Sequence, residues 1–254
     1  MVYRTLSEAE FADIAGRILY EDNHLLILNK KAGEIVQGDK TGDEPLSETL
    51  KAFVAKRDGK PGQVFMGVPH RLDRPVSGVC VFAKTSKALE RLNAMLRDGA
   101  IHKTYWALCC NAPAKASATL ENWLIRNEKA NKSFIVKEGT PGAKLARLIY
   151  THLGDTDRYH LLEVRLLTGR HHQIRCQLAG IGCPIKGDLK YGAPRSNRDG
   201  GISLHAREIS FVHPVKKTPL TVTAPLLPGF PEPVAPGFRV LAGENLEHGA
   251  EGLD

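Results

Sequence analysis

Short apolar or alternating segments, separated by turn residues more often than by long amphipathic helices, most limit the folds open to this chain. Leu25-Leu26-Ile27-Leu28, bounded by Asn23 and Asn29, reads as a buried strand, as does the apolar run over 79–83. Residues 103–110 alternate, with Tyr105, Ala107 and Cys109 on one face and Thr104, Trp106 and Leu108 on the other. Segments 145–153 and 158–167 form a hairpin around Gly154-Asp155-Thr156-Asp157, with His160, Leu162, Val164 and Leu166 sharing a face. Further strands fit 203–212 and 220–223. Helical spacing appears in three places: over 46–56 (Leu46, Leu50, Phe53, Val54); after a Thr85 or Ser86 cap (Leu89, Leu92, Leu96, closed by Gly99); and over 171–179 (Ile174, Leu178 and later Ile181). Strands thus outnumber helices and are joined mostly by turns, which predicts an α+β fold with a mainly antiparallel sheet.

The remaining stretches read as connections. Gly33, Gly38, Gly42 and Pro45 make 31–45 a loop, 56–62 is a polar break, and small residues make 111–118 a turn region. Residues 126–144 are polar and carry Arg126, Lys129, Lys132, Lys137 and Lys144. Residues 1–19 read as a short lead-in, and 241–254 as disordered. There is no internal repeat, no G-x-G-x-x-G and no phosphate-loop motif.

The 254 residues are 42% hydrophobic, enough for a sizeable core, and the formal net charge is +7. That balance suits a polyanionic partner, although solubility alone would also account for it. The five cysteines, Cys80, Cys109, Cys110, Cys176 and Cys183, are odd in number and irregularly spaced, as for reduced thiols in a cytosolic protein. The first twenty residues carry Glu8, Glu10 and Asp13 without a long apolar run, so no signal peptide is expected. No membrane span is expected either, and the predicted location is the cytoplasm.

Two segments carry chemistry. In Pro69-His70-Arg71-Leu72-Asp73-Arg74-Pro75-Val76-Ser77-Gly78, one carboxylate sits among cations just before a buried strand. Pro75 keeps Arg74 out of helical geometry, and the neighbouring arginines favour an ionised Asp73. Such an aspartate is either a turn residue making local backbone bonds or a reactive carboxylate. In Leu167-Thr168-Gly169-Arg170-His171-His172-Gln173-Ile174-Arg175-Cys176, a strand ends, glycine turns the chain, and a helix opens with a dense set of donors. Arg170, His172, Gln173 and Arg175 suit phosphate or carboxylate binding, and so would a solvated basic helix start. Arg175 lies beside Ile174 on the half-buried side. An inward arginine needs an acid partner, for which Asp73 is the natural candidate.

Taken together, His-Arg-Leu-Asp-Arg over 70–74 and Thr-Gly-Arg-x-His-Gln-Ile-Arg over 168–175 resemble the RluA family of RNA pseudouridine synthases. Asn29-Lys30-x-Ala32-Gly33, Lys103-Thr104-Tyr105-x-Ala107, Gly182-x-Pro184-Ile185-x-Gly187-Asp188-x-x-Tyr191-Gly192 and Leu204-His205-Ala206 follow the family pattern in order, over about 18–228. Lys31 stands where the family usually has proline, and Val76 where it usually has threonine, so altered loop packing is expected.

The resemblance implies a pseudouridine synthase fold with a central catalytic cleft. It implies a lead-in over 1–19, a catalytic domain over 20–228 and a partly disordered tail over 229–254. No separate RNA-binding domain of the kind many relatives carry fits in the first 19 residues. By resemblance, Asp73 is the catalytic carboxylate, acting at uracil C6, at ribose C1′ or by promoting loss of a ribose proton. Arg175 pairs with it, and Tyr105 stacks on the base and can move a proton. Arg71 fills the gap left by the extruded base. Leu72, Arg170, His172, Gln173 and Ile174 are the further substrate or RNA contacts. The expected partner is ribosomal or transfer RNA and the expected state a monomer, with no metal or organic cofactor. The alternative is a catalytically inactive RNA-binding protein of the same fold. A zinc site built from His171, His172, Cys176 and Cys183 is not expected, because the histidines are adjacent and no Cys-x-x-Cys occurs.

Overall fold

Strand β2 (Leu25–Lys30), buried along its whole length, shows how the sheet is built. In the computed structural model, which describes residues 3–38, 42–59, 62–226, 230 and 239–240, β2 lies between β1 (Ile18–Glu21) and β3 (Ser77–Ala83), antiparallel to both. Its side chains alternate between two cores. Leu26 and Leu28 join Leu50, Phe53 and Phe82 on one side, and Leu25 and Ile27 join Val79, Val81 and Leu92 on the other.

The strands expected from alternation are present as β4 (His102–Cys109), β7 (Lys144–Asp155), β8 (His160–Leu166), β9 (Leu204–Val212) and β10 (Pro219–Thr223). With β5 (Ser117–Asn127) and β6 (Lys132–Val136) they form one sheet in the order β1-β2-β3-β9-β4-β8-β7-β5-β6. Strand β10 pairs with β9, and β11 (Arg239–Val240) with β7. Among the described strands only β3 and β9 pair in parallel, so the expected α+β class with a mainly antiparallel sheet holds. At that junction Gly78 pairs with Ala206 at φ 113°, and a Cβ there would come within 2.3 Å of the Ala206 carbonyl oxygen. Only glycine allows the two backbones to meet this closely.

Helices α2 (Leu46–Asp58), α3 (Ser86–Arg97) and α4 (Gln173–Gly180) answer the three helical patterns. Thr85 caps α3, its hydroxyl accepting from the Ala88 N–H at 3.2 Å. Left-handed Gly59 ends α2. Ile181, expected on the apolar side of α4, falls just past its end and is 37% exposed.

Besides β1 and β5, over which the sequence predicts no strand, three further elements go beyond the sequence reading. The lead-in contains a helix, α1 (Glu8–Gly16), whose Ile14 is buried and whose Phe11 packs 4.6 Å from Phe53. Its signal was the capping box formed by Ser7 and Glu10, too short a pattern to weigh without its packing. The polar stretch 126–144 contains β6, which closes the sheet edge against β5. An edge strand that leaves Phe134 and Ile135 about 40% exposed has little apolar alternation to reveal it. Finally, β11 lies within the tail over 229–254, of which 229, 231–238 and 241–254 fall outside the described residues. No helix among the described residues is long and apolar enough to cross a membrane.

Candidate active site

Asp73 sits on the loop that leads into β3, and a fully buried lysine holds that loop from beneath. Lys30, the last residue of β2, is 0% exposed. Its Nζ donates to the carbonyls of Val76 at 2.7 Å, Lys31 at 2.9 Å, Arg74 at 3.1 Å and Asp73 at 3.3 Å. Burial brings its pKa down to about 8, so it remains charged at neutral pH. Further backbone bonds fix the same loop: Val76 N–H to the Asp73 carbonyl, Gly33 N–H to that of Arg74, and Ile202 N–H to that of Pro75. The loop aspartate is therefore a side chain presented by a clamped backbone.

Opposite it, α4 brings Arg175 inward, 5% exposed. Its Nη1 donates to Asp73 Oδ2 at 3.0 Å. The sequence supplied this partner, but Arg175 has a second one. Nε and Nη2 grip Asp188 as a fork, at 2.6 Å and 2.8 Å. Burial alone would lower the guanidinium pKa, yet Asp188 and Asp73 together raise it. The Arg175 guanidinium also lies 5.1 Å from the Tyr191 ring centroid. Two carboxylates around one buried cation complete the arrangement that an unpaired inward arginine would lack.

His172 caps α4 in the left-handed region at φ 50° and is 8% exposed. Its Nε2 lies 3.4 Å from Asp73 Oδ2, and its Nδ1 3.1 Å from the Tyr191 hydroxyl. Burial pushes its pKa down to about 3, so it faces Asp73 as a neutral ring and forms no ion pair. His70 is likewise neutral. Its Nε2 accepts from the Val81 N–H at 3.0 Å, and burial lowers its pKa to about 3.

A cavity of about 730 Å³ opens over this floor, within the size range of small-ligand sites. Asp73, Arg175 and Tyr105 all line it. Tyr105, on central strand β4, is 7% exposed. Burial, and then the negative charge of Asp73, raise its phenol pKa, so it is protonated at neutral pH. Leu72 and Ile174 supply apolar wall, and Arg71 and Arg170 stand exposed at the rim, where the Arg170 Nε also donates to the Leu145 carbonyl. Gln173 lines the cavity too, but its amide is committed inside the protein. Its Oε1 accepts from the Arg170 N–H and the Thr168 hydroxyl, and its Nε2 donates to the Arg147 carbonyl. It therefore holds the turn between β8 and α4. All nine residues singled out from sequence face one cavity.

Sequence reasoning passed over Lys30, Lys103, Asp188 and Tyr191 as site residues. Lys103 and Arg126 line the cavity, and Asp188 and Tyr191 stand behind Arg175. In the sequence these four stand out only as members of the family's supporting segments, Lys30 in 29–33, Lys103 in 103–107, and Asp188 and Tyr191 in 182–192.

Solved structures share this fold. Human RNA Pseudouridylate Synthase Domain Containing 4 superposes with a TM-score of 0.74 at 24% identity, covering 87% of this chain and 93% of that one. Human RNA Pseudouridylate Synthase Domain Containing 1 does so with a TM-score of 0.66 at 22% identity, covering 90% of each. The fold is thus that of the pseudouridylate synthases, a class of isomerases.

Residues 24–180 match the family model described as RNA pseudouridylate synthase. Among curated relatives, the ribosomal large subunit pseudouridine synthase C of Vibrio cholerae is 33% identical over 86% of this chain and 68% of its own length. An uncharacterized RNA pseudouridine synthase of Synechocystis is 32% identical over 82% of this chain and 65% of its own length. The chain therefore belongs to the RNA pseudouridylate synthase family, and it spans about two thirds of the length of these curated relatives.

Proposed function

We propose that this protein isomerises specific uridines of structured RNA to pseudouridine, with Asp73 as the catalytic carboxylate acting on a flipped-out nucleotide. The observation that carries the reading is Asp73 held by Arg175 at 3.0 Å on the floor of a nucleotide-sized cavity with Tyr105 in its wall. The reaction breaks the N–C glycosidic bond, turns the base, and rejoins it through C5, whose hydrogen leaves as a proton. The base must first leave its stack, at a cost of a few kcal/mol. In this reading Arg71 at the rim fills the space the base vacates, and Tyr105 packs against the base inside. His172 and Ile174 shape the wall, while Arg170, Arg126 and Lys103 meet phosphates. The catalytic unit is the sheet and helices over 20–228, against which α1 packs.

The target is ribosomal RNA, as the names of the relatives from Vibrio cholerae, a ribosomal large subunit pseudouridine synthase C, and Xanthomonas campestris, a synthase D, suggest for those proteins. Transfer RNA is the other substrate to be tried, and the enzyme works in the cytoplasm. RNA carrying tritium at uridine C5 provides the test. Wild-type protein releases tritium, and Asp73→Asn loses at least about 10³-fold of that rate while still binding RNA. Binding without release by the wild type would instead identify an inactive RNA-binding protein of this fold. Mapping pseudouridines in cells lacking the protein identifies the site.

A further inference from the structure

The β7–β8 hairpin carries a side-chain cluster that uridine chemistry does not use. The His152 Nε2 lies 2.7 Å from Asp155 Oδ1, and the His160 Nδ1 lies 2.5 Å from the same oxygen. The two rings stand edge to face, with centroids 5.7 Å apart. Their side chains are 8% and 24% exposed and that of Asp155 is 31% exposed, so the group is partly covered but reachable from solvent. Strand geometry makes this convergence unusual. His152 and Asp155 are three positions apart and in a regular strand would point to opposite faces. The ladder between β7 and β8 slips between His152 and Gly154, so that His152 pairs with Leu162, Gly154 with Leu161 and Asp155 with His160. The bulge at Leu153 restores the parity: it turns Asp155 onto the face of His152 and places it directly across from His160.

We propose that His152, Asp155 and His160 form a binding site for a divalent late first-row metal ion, with zinc as its ordinary occupant. Two imidazole nitrogens and one carboxylate oxygen, all within 4.8 Å of one another, make up the donor set. Nitrogen donors disfavour magnesium and calcium, imidazole suits zinc, copper, iron and nickel, and a four-coordinate tetrahedral set of two imidazoles, a carboxylate and a water selects zinc among these by geometry. In a tetrahedral site with Zn–N and Zn–O bonds of about 2.0–2.1 Å, neighbouring donors sit roughly 3.3 Å apart, so each imidazole nitrogen needs to move out from Asp155 Oδ1 by under ~1 Å, while the two nitrogens already lie within 4.8 Å of each other. Water takes the fourth position. Without metal, both rings donate an N–H to Asp155. On binding, each neutral ring moves its proton to its other nitrogen, His152 to Nδ1 and His160 to Nε2, and the nitrogen so freed gives its lone pair to the ion.

The site is separate from the cleft. Leu166, which lines the cavity, is six residues along β8 from His160, roughly 20 Å at the rise of a strand. It lies where β11 joins the sheet, since Arg239 pairs with Asp155 and Val240 with Gly154. A metal here would staple the hairpin end that receives the C-terminal strand.

Full-length protein stripped with a chelator, then titrated with zinc alone, gives the test. One zinc ion binds per chain and raises the melting temperature, and His152→Asn and His160→Asn each weaken binding by at least about tenfold. X-ray absorption of the zinc-loaded wild type shows two imidazoles and no sulfur, a readout that holds even if a variant fails to fold. Absence of saturable binding, sulfur ligation from one of the five cysteines, or wild-type affinity in both variants would overturn the proposal.

Discussion

The floor and the rim of the cleft use charge in opposite ways. On the floor, Arg175 and Asp188 have side chains only 6% and 1% exposed, and each charge meets a partner in fork geometry. At the rim, Arg71 and Arg126 are exposed, and among the described residues neither forms an ion pair. A buried pair is costly to assemble and costly to break, so it fixes geometry. An exposed unpaired cation contributes little to folding and is free to displace counterions from a polyanion. The same residue type thus positions a carboxylate in one place and, under the proposed function, attracts phosphate in the other.

The largest effect expected from this contrast is on the floor. Arg175→Met leaves Asp188 buried and unpaired and Asp73 without its anchor. Unfolding in urea should show a loss of about 3–5 kcal/mol, and tritium release should fall with it. Asp188→Asn keeps the shape but removes the charge that holds Arg175, so it should lower activity although Asp188 lies behind the arginine. If both variants unfold within about 0.5 kcal/mol of wild type, the floor is not locked by charge and the contrast fails.

Lys30 sharpens the same point through pH. Its pKa is 10.5 when free and about 8 when folded. Below pH 8 both states hold the proton, and stability does not vary with this group. Between pH 8 and 10.5 the folded state releases its proton while the unfolded state keeps it, so stability rises with pH, and above that window it levels off. The shift corresponds to about 3 kcal/mol across the window. Lys30→Met leaves the carbonyls of the Asp73 loop without their donor and should abolish this rise. Stability-versus-pH curves for the two proteins that run parallel from pH 8 to 10.5 would contradict the burial of this ammonium.

How far the sequence revealed the molecule follows from the same physics. Alternation and apolar runs exposed β2, β3, β4, β7, β8 and β9 because these strands lie deep in the sheet, and burial imposes periodicity. It did not expose β6, whose place at the edge leaves it half solvated. Asp73 and Arg175 stood out because dense polar residues interrupt apolar segments. Lys30 was legible only as part of a motif, since nothing local tells a strand-end lysine in solvent from one enclosed by four carbonyls. Asp188 is invisible for a related reason, as its partner is 13 residues away and reaches it only through the turn after α4. The His152, Asp155 and His160 cluster depends on a bulge, which is a property of strand pairing and has no signature in residue order.

The smallest effects on stability should appear at the rim, and there they carry the most information about substrate. Arg126→Ala and Arg71→Ala remove exposed cations with no ion-pair partner among the described residues, so each should change stability by no more than about 0.5 kcal/mol. Binding should respond differently. If Arg126 meets a phosphate, its loss weakens RNA affinity across sequences and lowers the slope of log K against log salt by about 1. Arg71 is next to Leu72 and Asp73 on the clamped loop, and under the proposed function it acts on the extruded nucleotide. Its loss should therefore cut the rate of tritium release more than it cuts affinity. Equal losses of rate and affinity in both variants would mean that the rim is a single electrostatic surface, with no division between an arginine that attracts the backbone and one that handles the base.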